Sequence, residues 1–119
     1  MYSILSISRN TRLLLQRNDN LALAGFRVIS PRSPEEAPNL AKEQQVDAVI
    51  VGHSVEPKSR EFLITAIRQL CPKCVIFFVY AAPDTEGEPL ADVSIDVTHG
   101  PDPLIMALQE VLPRPASAA

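Results

Sequence analysis

The chain has 119 residues, of which 46% are hydrophobic, and a formal net charge of −3. This length and composition allow one domain with its own core, and no apolar run reaches the roughly 20 residues that a bilayer-spanning helix needs. The first residues, MYSILSIS, have neither a basic region nor a small-residue cleavage site. We therefore expect a cytoplasmic protein without a signal peptide and without membrane contact.

Acidic residues follow one another late in the chain, and no Lys or Arg interrupts them. They are Asp84, Glu86, Glu88, Asp92, Asp96 and Asp102. Phosphate contacts need Lys and Arg, and the arginines nearer the start of the chain are scattered without aromatic partners. We therefore expect a solvated acidic edge and no nucleic-acid partner.

The chain begins with a strand candidate and a helix. Residues 3–7 are apolar enough for a strand, and Asn10 or Thr11 can cap a helix that runs to about residue 24. Gly25 ends this helix. Its apolar positions, near helical spacing, are Leu13, Leu14, Leu21 and Ala24.

The second strand candidate, residues 27–30, precedes a less regular helix. Ser33 and Glu36 fit a capping box with a proline at the first helical position, which predicts a helix to about residue 44. We expect Pro38 to shorten or distort that helix.

The middle of the chain contains two further strand candidates, residues 47–51 and 75–79, separated by a helix over residues 57–70. Both strands are apolar almost throughout, which suits central strands. The helix has a clear apolar stripe formed by Phe62, Leu63, Ala66, Ile67 and Leu70.

Residues 81–90, AAPDTEGEPL, leave no room for a regular helix before the fifth strand candidate, residues 93–97. The missing helix is expected to expose apolar surface around Tyr80, Val93 and Ile95 unless the loop folds over it. Such a patch favours a homodimer.

The last predicted helix opens at Asp102 and Pro103, with Asp102 as its cap, and ends before Pro113. Its inward side chains are predicted to be Leu104, Ile105, Leu108, Val111 and Leu112. Residues 113–119 are expected to form a disordered tail.

Alternating strands and helices favour a parallel α/β sheet that is covered on both faces. In such sheets ligands bind at the carboxyl ends of the strands. Those ends read Ser8-Arg9, Gly52-His53, Tyr80-Ala81 and Thr98-His99. Because no acidic cluster occurs there, we expect a protein that is not an enzyme and has no metal and no cofactor.

Five segments match the pattern of a known family: ILSISRNTRLLL, AGFRVI, VDAVIVGHSVEP, CPKCVIFFVYA and ADVSIDVTHGPDPLIMALQEVL. Over residues 3–112 the chain resembles the receiver domain of bacterial response regulators, the CheY-like branch of the flavodoxin-like fold. The resemblance implies a three-layer sandwich with a five-stranded parallel sheet of order 2-1-3-4-5, its fourth helix short or missing. The domain is then residues 1–112.

The resemblance also places the family's functional positions, and all five are replaced. The acidic pair that binds Mg²⁺ in receivers falls on Ser8 and Arg9, and the phosphoryl-accepting aspartate falls on Gly52. The switch Ser or Thr falls on Tyr80 and the conserved lysine of receivers on Val97. Aspartyl phosphorylation needs a carboxylate nucleophile and oxygen ligands for the cation. The resemblance therefore implies a pseudo-receiver that takes up no aspartyl phosphate.

Three further features have alternative interpretations. The Arg9 guanidinium is predicted to fill the former metal pocket, with anion binding as the alternative. His53 and His99 are interpreted as loop residues rather than catalytic groups: Ser54 is near His53, but Asp47 lies at the wrong end of the strand to orient it and no G-x-S-x-G motif occurs. Cys71 and Cys74 have C-x-x-C spacing and are expected to be reduced structural thiols, with a redox disulfide or a metal pair as alternatives.

Two functions remain open at this point. The first is a signalling module of bacterial two-component type that acts through protein partners and is not phosphorylated. The alternative is a small-ligand or redox-responsive module that uses a crevice at Arg9, Gly52 and His53 or the pair Cys71 and Cys74.

Overall fold

The computed structural model describes residues 1–81 and 87–112. Within them the sheet has five parallel strands in the order β2-β1-β3-β4-β5. The elements in chain order are β1 (Ser3–Ile7), α1 (Thr11–Leu23), β2 (Arg27–Ile29), a 3₁₀ turn (Pro34–Glu36), α2 (Ala37–Glu43), β3 (Ala48–Gly52), α3 (Pro57–Leu70), β4 (Val75–Tyr80), β5 (Val93–Asp96) and α4 (Asp102–Val111). This architecture confirms the predicted flavodoxin-like, CheY-like fold.

The sheet separates two apolar clusters, as expected of a sheet with helices on both faces. One cluster joins α2 and α3 to the sheet through Ala41, Leu63, Ile67 and the strand residues Val49 and Ile76. The other joins α1 and α4 to the opposite face. Its main members are Ile4, Leu21, Ile50, Phe77, Leu104 and Leu108. Because β3 lies in the middle, all of its residues are buried.

Helix α1 begins and ends as predicted. The Asn10 side chain accepts a hydrogen bond from the Leu13 amide at 3.1 Å, and Gly25 takes the positive φ of +95° that ends the helix. The predicted apolar stripe is only partly inward, because Leu13 is 42% exposed and Leu21 is the helix's one buried residue.

The capping box predicted before α2 does not form. The Ser33 side chain makes no capping bond, and the Glu36 carboxylate accepts a hydrogen bond from the Arg32 amide at 3.1 Å. The first turn is instead a 3₁₀ turn, and the α-helix begins only at Ala37. This agrees with the expectation that Pro38 would shorten or distort the helix: Pro38 lies in the first turn of the short helix α2, where its missing N–H costs no intrahelical hydrogen bond.

The apolar stripe of α3 is rotated from the predicted one, whereas the predicted inward face of α4 is confirmed except at Val111. Phe62 is 80% exposed, because α3 presents Arg60, Leu63, Ile64 and Ile67 to the sheet. In α4 the buried side chains are spaced four apart, at Leu104, Leu108 and Leu112, and Val111 is exposed. Asp102 lies inside the helix and makes no capping bond.

No helix lies between β4 and β5 within residues 87–92, in agreement with the predicted loss of the fourth family helix; residues 82–86 lie outside the described part. The prediction of an exposed apolar patch at Tyr80, Val93 and Ile95 is wrong. Strand register pairs Phe77 with Val93 and Val79 with Ile95, so these β5 residues share the face of α1 and α4. Ile95 is buried there.

Charged side chains cover the part of the sheet face at β4 that has no helix over it. The Arg60 guanidinium lies 4.5 Å from the ring centroid of Phe78, and its Nε donates to the Glu88 carboxylate at 3.1 Å. The Tyr80 ring stacks on Phe78 with centroids 5.9 Å apart. The predicted tail, residues 113–119, lies outside the described residues.

Candidate functional site

A crevice of about 220 Å³ opens at the carboxyl ends of the strands, where ligands bind in sheets of this type. Three of the five positions assigned from the family resemblance line it: Ser8, Gly52 and Val97. The other two, Arg9 and Tyr80, do not belong to its lining. Tyr80 instead stacks on Phe78 on the face of α2 and α3.

Arg17 of α1 occupies the centre of this site. Its Nη1 donates to the Ser6 hydroxyl and to the Ile7 carbonyl oxygen, both at 3.0 Å. A side chain added at Gly52 would place its Cβ only 2.7 Å from Arg17 Nη2. The guanidinium therefore lies where the side chain of residue 52 would begin.

Burial lowers the pKa of Arg17 from its ordinary value to about 10, because a charged group loses its hydration in the protein interior. The side chain therefore stays cationic at neutral pH. Among residues 1–81 and 87–112, no carboxylate forms an ion pair with it.

Arg9 does not fill the pocket, contrary to the prediction. Its Nη2 donates to the Glu35 carboxylate at 2.9 Å, and its side chain is 43% exposed. The Arg9 amide is bound to the Ser54 hydroxyl at 3.0 Å, which fixes the backbone at the rim. The sequence carried a signal for Arg17 that the prediction missed: an arginine four residues before buried Leu21, on the inward side of α1.

Two serines connect the loops that border the crevice. The hydroxyls of Ser8 and Ser54 are 2.9 Å apart, and Ser8 Oγ also accepts from the Asn10 amide at 3.0 Å. These bonds join the loop after β1 to the loop after β3, so the crevice has a fixed polar rim.

The two histidines are placed differently. His53 lines the crevice, and its backbone amide donates to the Val79 carbonyl at 3.0 Å. His99 is exposed and does not line the crevice. Hydrogen bonds that Thr98 donates to the Asp96 carboxylate hold the pKa of that group below its ordinary value, and the nearby His99 adds a smaller effect in the same direction.

The crevice residues do not fit the Mg²⁺ that receivers bind. A hard divalent cation prefers carboxylate and carbonyl oxygens, whereas the groups here are the hydroxyls of Ser8 and Ser54 and the cation of Arg17. In the described part of the chain no three His, Cys, Asp or Glu side chains come together as a metal cluster. The guanidinium would repel a second cation at this position.

Cys71 and Cys74 are joined in a disulfide, so the expectation of two reduced thiols is wrong. The pair lies where α3 ends and before β4 begins, at the opposite end of the sheet from the crevice. Sγ of Cys74 lies 3.3 Å from the Val46 carbonyl oxygen, and that sulfur is buried with the cluster under α3. The turn between helix and strand brought the two residues into bonding distance, which the spacing alone did not decide.

Within the described ranges, none of the helices has the length and apolarity to span a bilayer.

No family model and no curated protein matches this chain. Solved structures do match it. The chemotaxis response regulator CheY4 of Vibrio cholerae superposes with a TM-score of 0.79 at 19% identity, covering 94% of this chain and 99% of that one. The Thermotoga maritima response regulator TrrA, in complex with the histidine kinase ThkA, gives a TM-score of 0.79 at 18% identity, covering 95% and 100%.

A third structural neighbour is a putative pilus assembly protein, cpaE, of Burkholderia thailandensis, with a TM-score of 0.76 at 16% identity over 92% of this chain and 97% of that one. At these identities the similarity establishes the fold. The structural neighbours include CheY-like receiver domains, which are signalling domains.

Proposed function

We propose that this protein is a non-enzymatic signalling module with a receiver fold, which takes up no aspartyl phosphate and acts through contacts with protein partners. One observation carries the proposal: the Arg17 guanidinium lies within 2.7 Å of the Cβ position of residue 52. That is the position from which the acceptor carboxylate of a receiver would extend.

The chemistry of the crevice supports this interpretation. Phosphoryl transfer to a receiver needs a carboxylate nucleophile and a divalent cation that neutralises the developing charge. Gly52 has no side chain, and Ser8 and Arg9 replace the acidic pair. Arg17 provides a fixed cation at a position where receivers bind an exchangeable metal ion, so the charge at this position does not depend on Mg²⁺.

The partners are proposed to be proteins of a bacterial signalling pathway in the cytoplasm. TrrA, a structural neighbour, is known in complex with a histidine kinase, and another neighbour is a putative pilus assembly protein. Surface features of this chain fit a protein contact. Phe62 is 80% exposed beside a groove between α2 and α3 whose wall includes Pro38 and Ala66.

The homodimer was predicted from exposed apolar surface at Val93 and Ile95. Ile95 is buried, and Val93 packs on the face of the sheet that α1 and α4 cover, so the argument for that homodimer no longer holds. We therefore do not propose self-association through β5. Contacts with other proteins remain the proposed mode of action.

A second candidate function is a redox-responsive module. The disulfide between Cys71 and Cys74 favours it, because opening that bond would release the end of α3 from the start of β4. Thiol counting in native extracts tests this alternative separately.

Treatment with acetyl phosphate and Mg²⁺, followed by intact mass measurement, tests the main proposal. We expect no mass increase corresponding to a phosphoryl group. Vibrio cholerae CheY4 treated in parallel is the positive control. A phosphoprotein formed from this chain in stoichiometric amount would contradict the proposal.

A further inference from the structure

The Arg17 guanidinium is a charge without a counter-ion in the described part of the chain. Its Nη1 is satisfied by the Ser6 hydroxyl and the Ile7 carbonyl, which are neutral acceptors. Within residues 1–81 and 87–112, Nε and Nη2 donate no hydrogen bond, and neither is a fully buried unpaired atom, so both are reached by solvent. A cation that is desolvated and paired only with neutral groups gains free energy when an anion binds to it.

Arg17 lines the crevice, its Nη2 lies next to Gly52, and the crevice accepts a ligand of limited size. Its volume is about 220 Å³, below the roughly 300–1,000 Å³ typical of drug-sized sites. The absence of a side chain at Gly52 leaves the approach to Nη2 open. Hydroxyls of Ser8 and Ser54 lie on the same wall.

The rest of the lining combines apolar and polar side chains. Leu13, Val79, Val97, Pro101 and Leu104 are its main apolar members, Leu104 is almost fully buried, and Gln16, Asn20 and His53 are polar. Apolar walls with a small number of polar or charged groups are the usual composition of a site for a small organic ligand. A ligand that fills this crevice should therefore have an apolar body next to the anionic group that binds Arg17.

We propose that this crevice binds a small organic monoanion, a carboxylate with a short or planar apolar body, through the Nε and Nη2 edge of Arg17. A guanidinium edge matches a carboxylate in two parallel hydrogen bonds. A single cation neutralises one negative charge, so a phosphate dianion would bring a second charge into a crevice whose lining has no second Lys or Arg. This inference goes beyond the proposed function and is independent of phosphorylation.

Titration of the ¹⁵N-labelled chain with sodium benzoate, monitored by amide chemical shifts, tests the proposal. Benzoate should cause saturable shifts at Gly52 and His53. Benzamide, which has the same shape without the charge, should bind at least about tenfold more weakly, since a charge-assisted hydrogen bond is worth a factor of that order.

Arg17→Met should lower benzoate affinity to that of benzamide and leave benzamide binding unchanged. Arg12→Met is the matched control, because it removes a positive charge from an exposed position of the same helix. We expect benzoate to bind this control as it binds the natural chain.

Equal affinity for benzoate and benzamide would overturn the proposal, and so would non-saturating shifts or an equal loss of benzoate binding in the two arginine variants. Tighter binding of inorganic phosphate at the same amides would show that the ligand class is wrong. If Arg17→Met does not fold, the comparison of benzoate with benzamide on the natural chain still decides the matter.

Discussion

The buried ion pair between Arg60 and Glu88 is predicted to be a main stabilising contact at the position of the missing helix. Glu88→Gln tests it with little change in shape. The Arg60 side chain is 10% exposed and that of Glu88 is 9% exposed, so both charges are largely removed from water. Without the carboxylate, the guanidinium retains the Val55 carbonyl at 2.7 Å and the ring of Phe78.

The expected cost follows from the burial of the pair. Removing one partner of a buried ion pair typically costs about 3–5 kcal/mol, because the remaining charge is left uncompensated. Arg60→Met should cost a similar amount, since it leaves the Glu88 carboxylate buried. The double variant Arg60→Met/Glu88→Gln has no buried charge, and its methionine can pack on the Phe78 ring. It should therefore lose less free energy of unfolding than the two single variants added together, by about 2 kcal/mol or more.

Urea denaturation measures these differences. With a slope of about 2 kcal/mol per molar urea for a domain of this size, Glu88→Gln should lower the midpoint by about 1.5–2.5 M. The exposed pair of Arg9 and Glu35 is the matched control, with its atoms 2.9 Å apart. Glu35→Gln should lower the urea midpoint far less than Glu88→Gln does, because water screens an exposed ion pair.

Two results would refute the reasoning about Arg60 and Glu88. The first is a Glu88→Gln variant that is no less stable than Glu35→Gln. The second is a double variant whose loss equals the sum of the two single losses, since strict additivity would mean that the two charges do not interact.

Two more predictions concern the crevice and the disulfide. Gly52→Asp alone should remain unphosphorylated by acetyl phosphate and Mg²⁺. Its Cβ would displace the Arg17 guanidinium, which lies 2.7 Å from that position, and we expect the displaced cation to pair with the new carboxylate. Intact mass measurement checks this, and efficient phosphorylation would contradict the assigned role of Arg17. The variant Ser8→Asp/Arg9→Asp/Gly52→Asp/Arg17→Met should gain phosphoryl uptake relative to the same variant with Arg17 retained. The unfolded, unreduced protein should show no free thiol from Cys71 or Cys74. Reduction should lower the free energy of unfolding by about 2 kcal/mol, which is the loop-entropy value for so short a loop. Two free thiols measured in urea before reduction would contradict the disulfide.

The sequence by itself determined the order and type of the elements. Apolar runs of strand length alternate with amphipathic segments, and this alternation is a local property that needs no knowledge of the partner strands. All five strands formed within one or two residues of their predicted bounds. The prolines and the glycine of residues 81–90 likewise act locally, which is why the loss of the fourth helix could be predicted.

Tertiary structure decided which faces the side chains share. Val93 and Ile95 alternate correctly in β5, but only pairing with Phe77 and Val79 puts them under α4 rather than on the open face. Phe62 belongs to an apolar run, yet the rotation of α3 places it in solvent because Arg60 and Ile64 face the sheet. The periodicity of the sequence determines the spacing of the apolar residues along a helix. The packing of the helix on the sheet determines which of its faces points inward.

The candidate site also depended on long-range placement. Positions Ser8, Gly52 and Val97 could be assigned from the family resemblance because they fall at the carboxyl ends of strands, and the structure brings them to one crevice. The choice between Arg9 and Arg17 could not be made in that way. Arg9 is bound outside the crevice by Glu35, which is distant in sequence. The space beside Gly52 is occupied by Arg17 of helix α1. The sequence determined which side chains follow each strand, and only the packing of α1 on the sheet decided which charge fills the site.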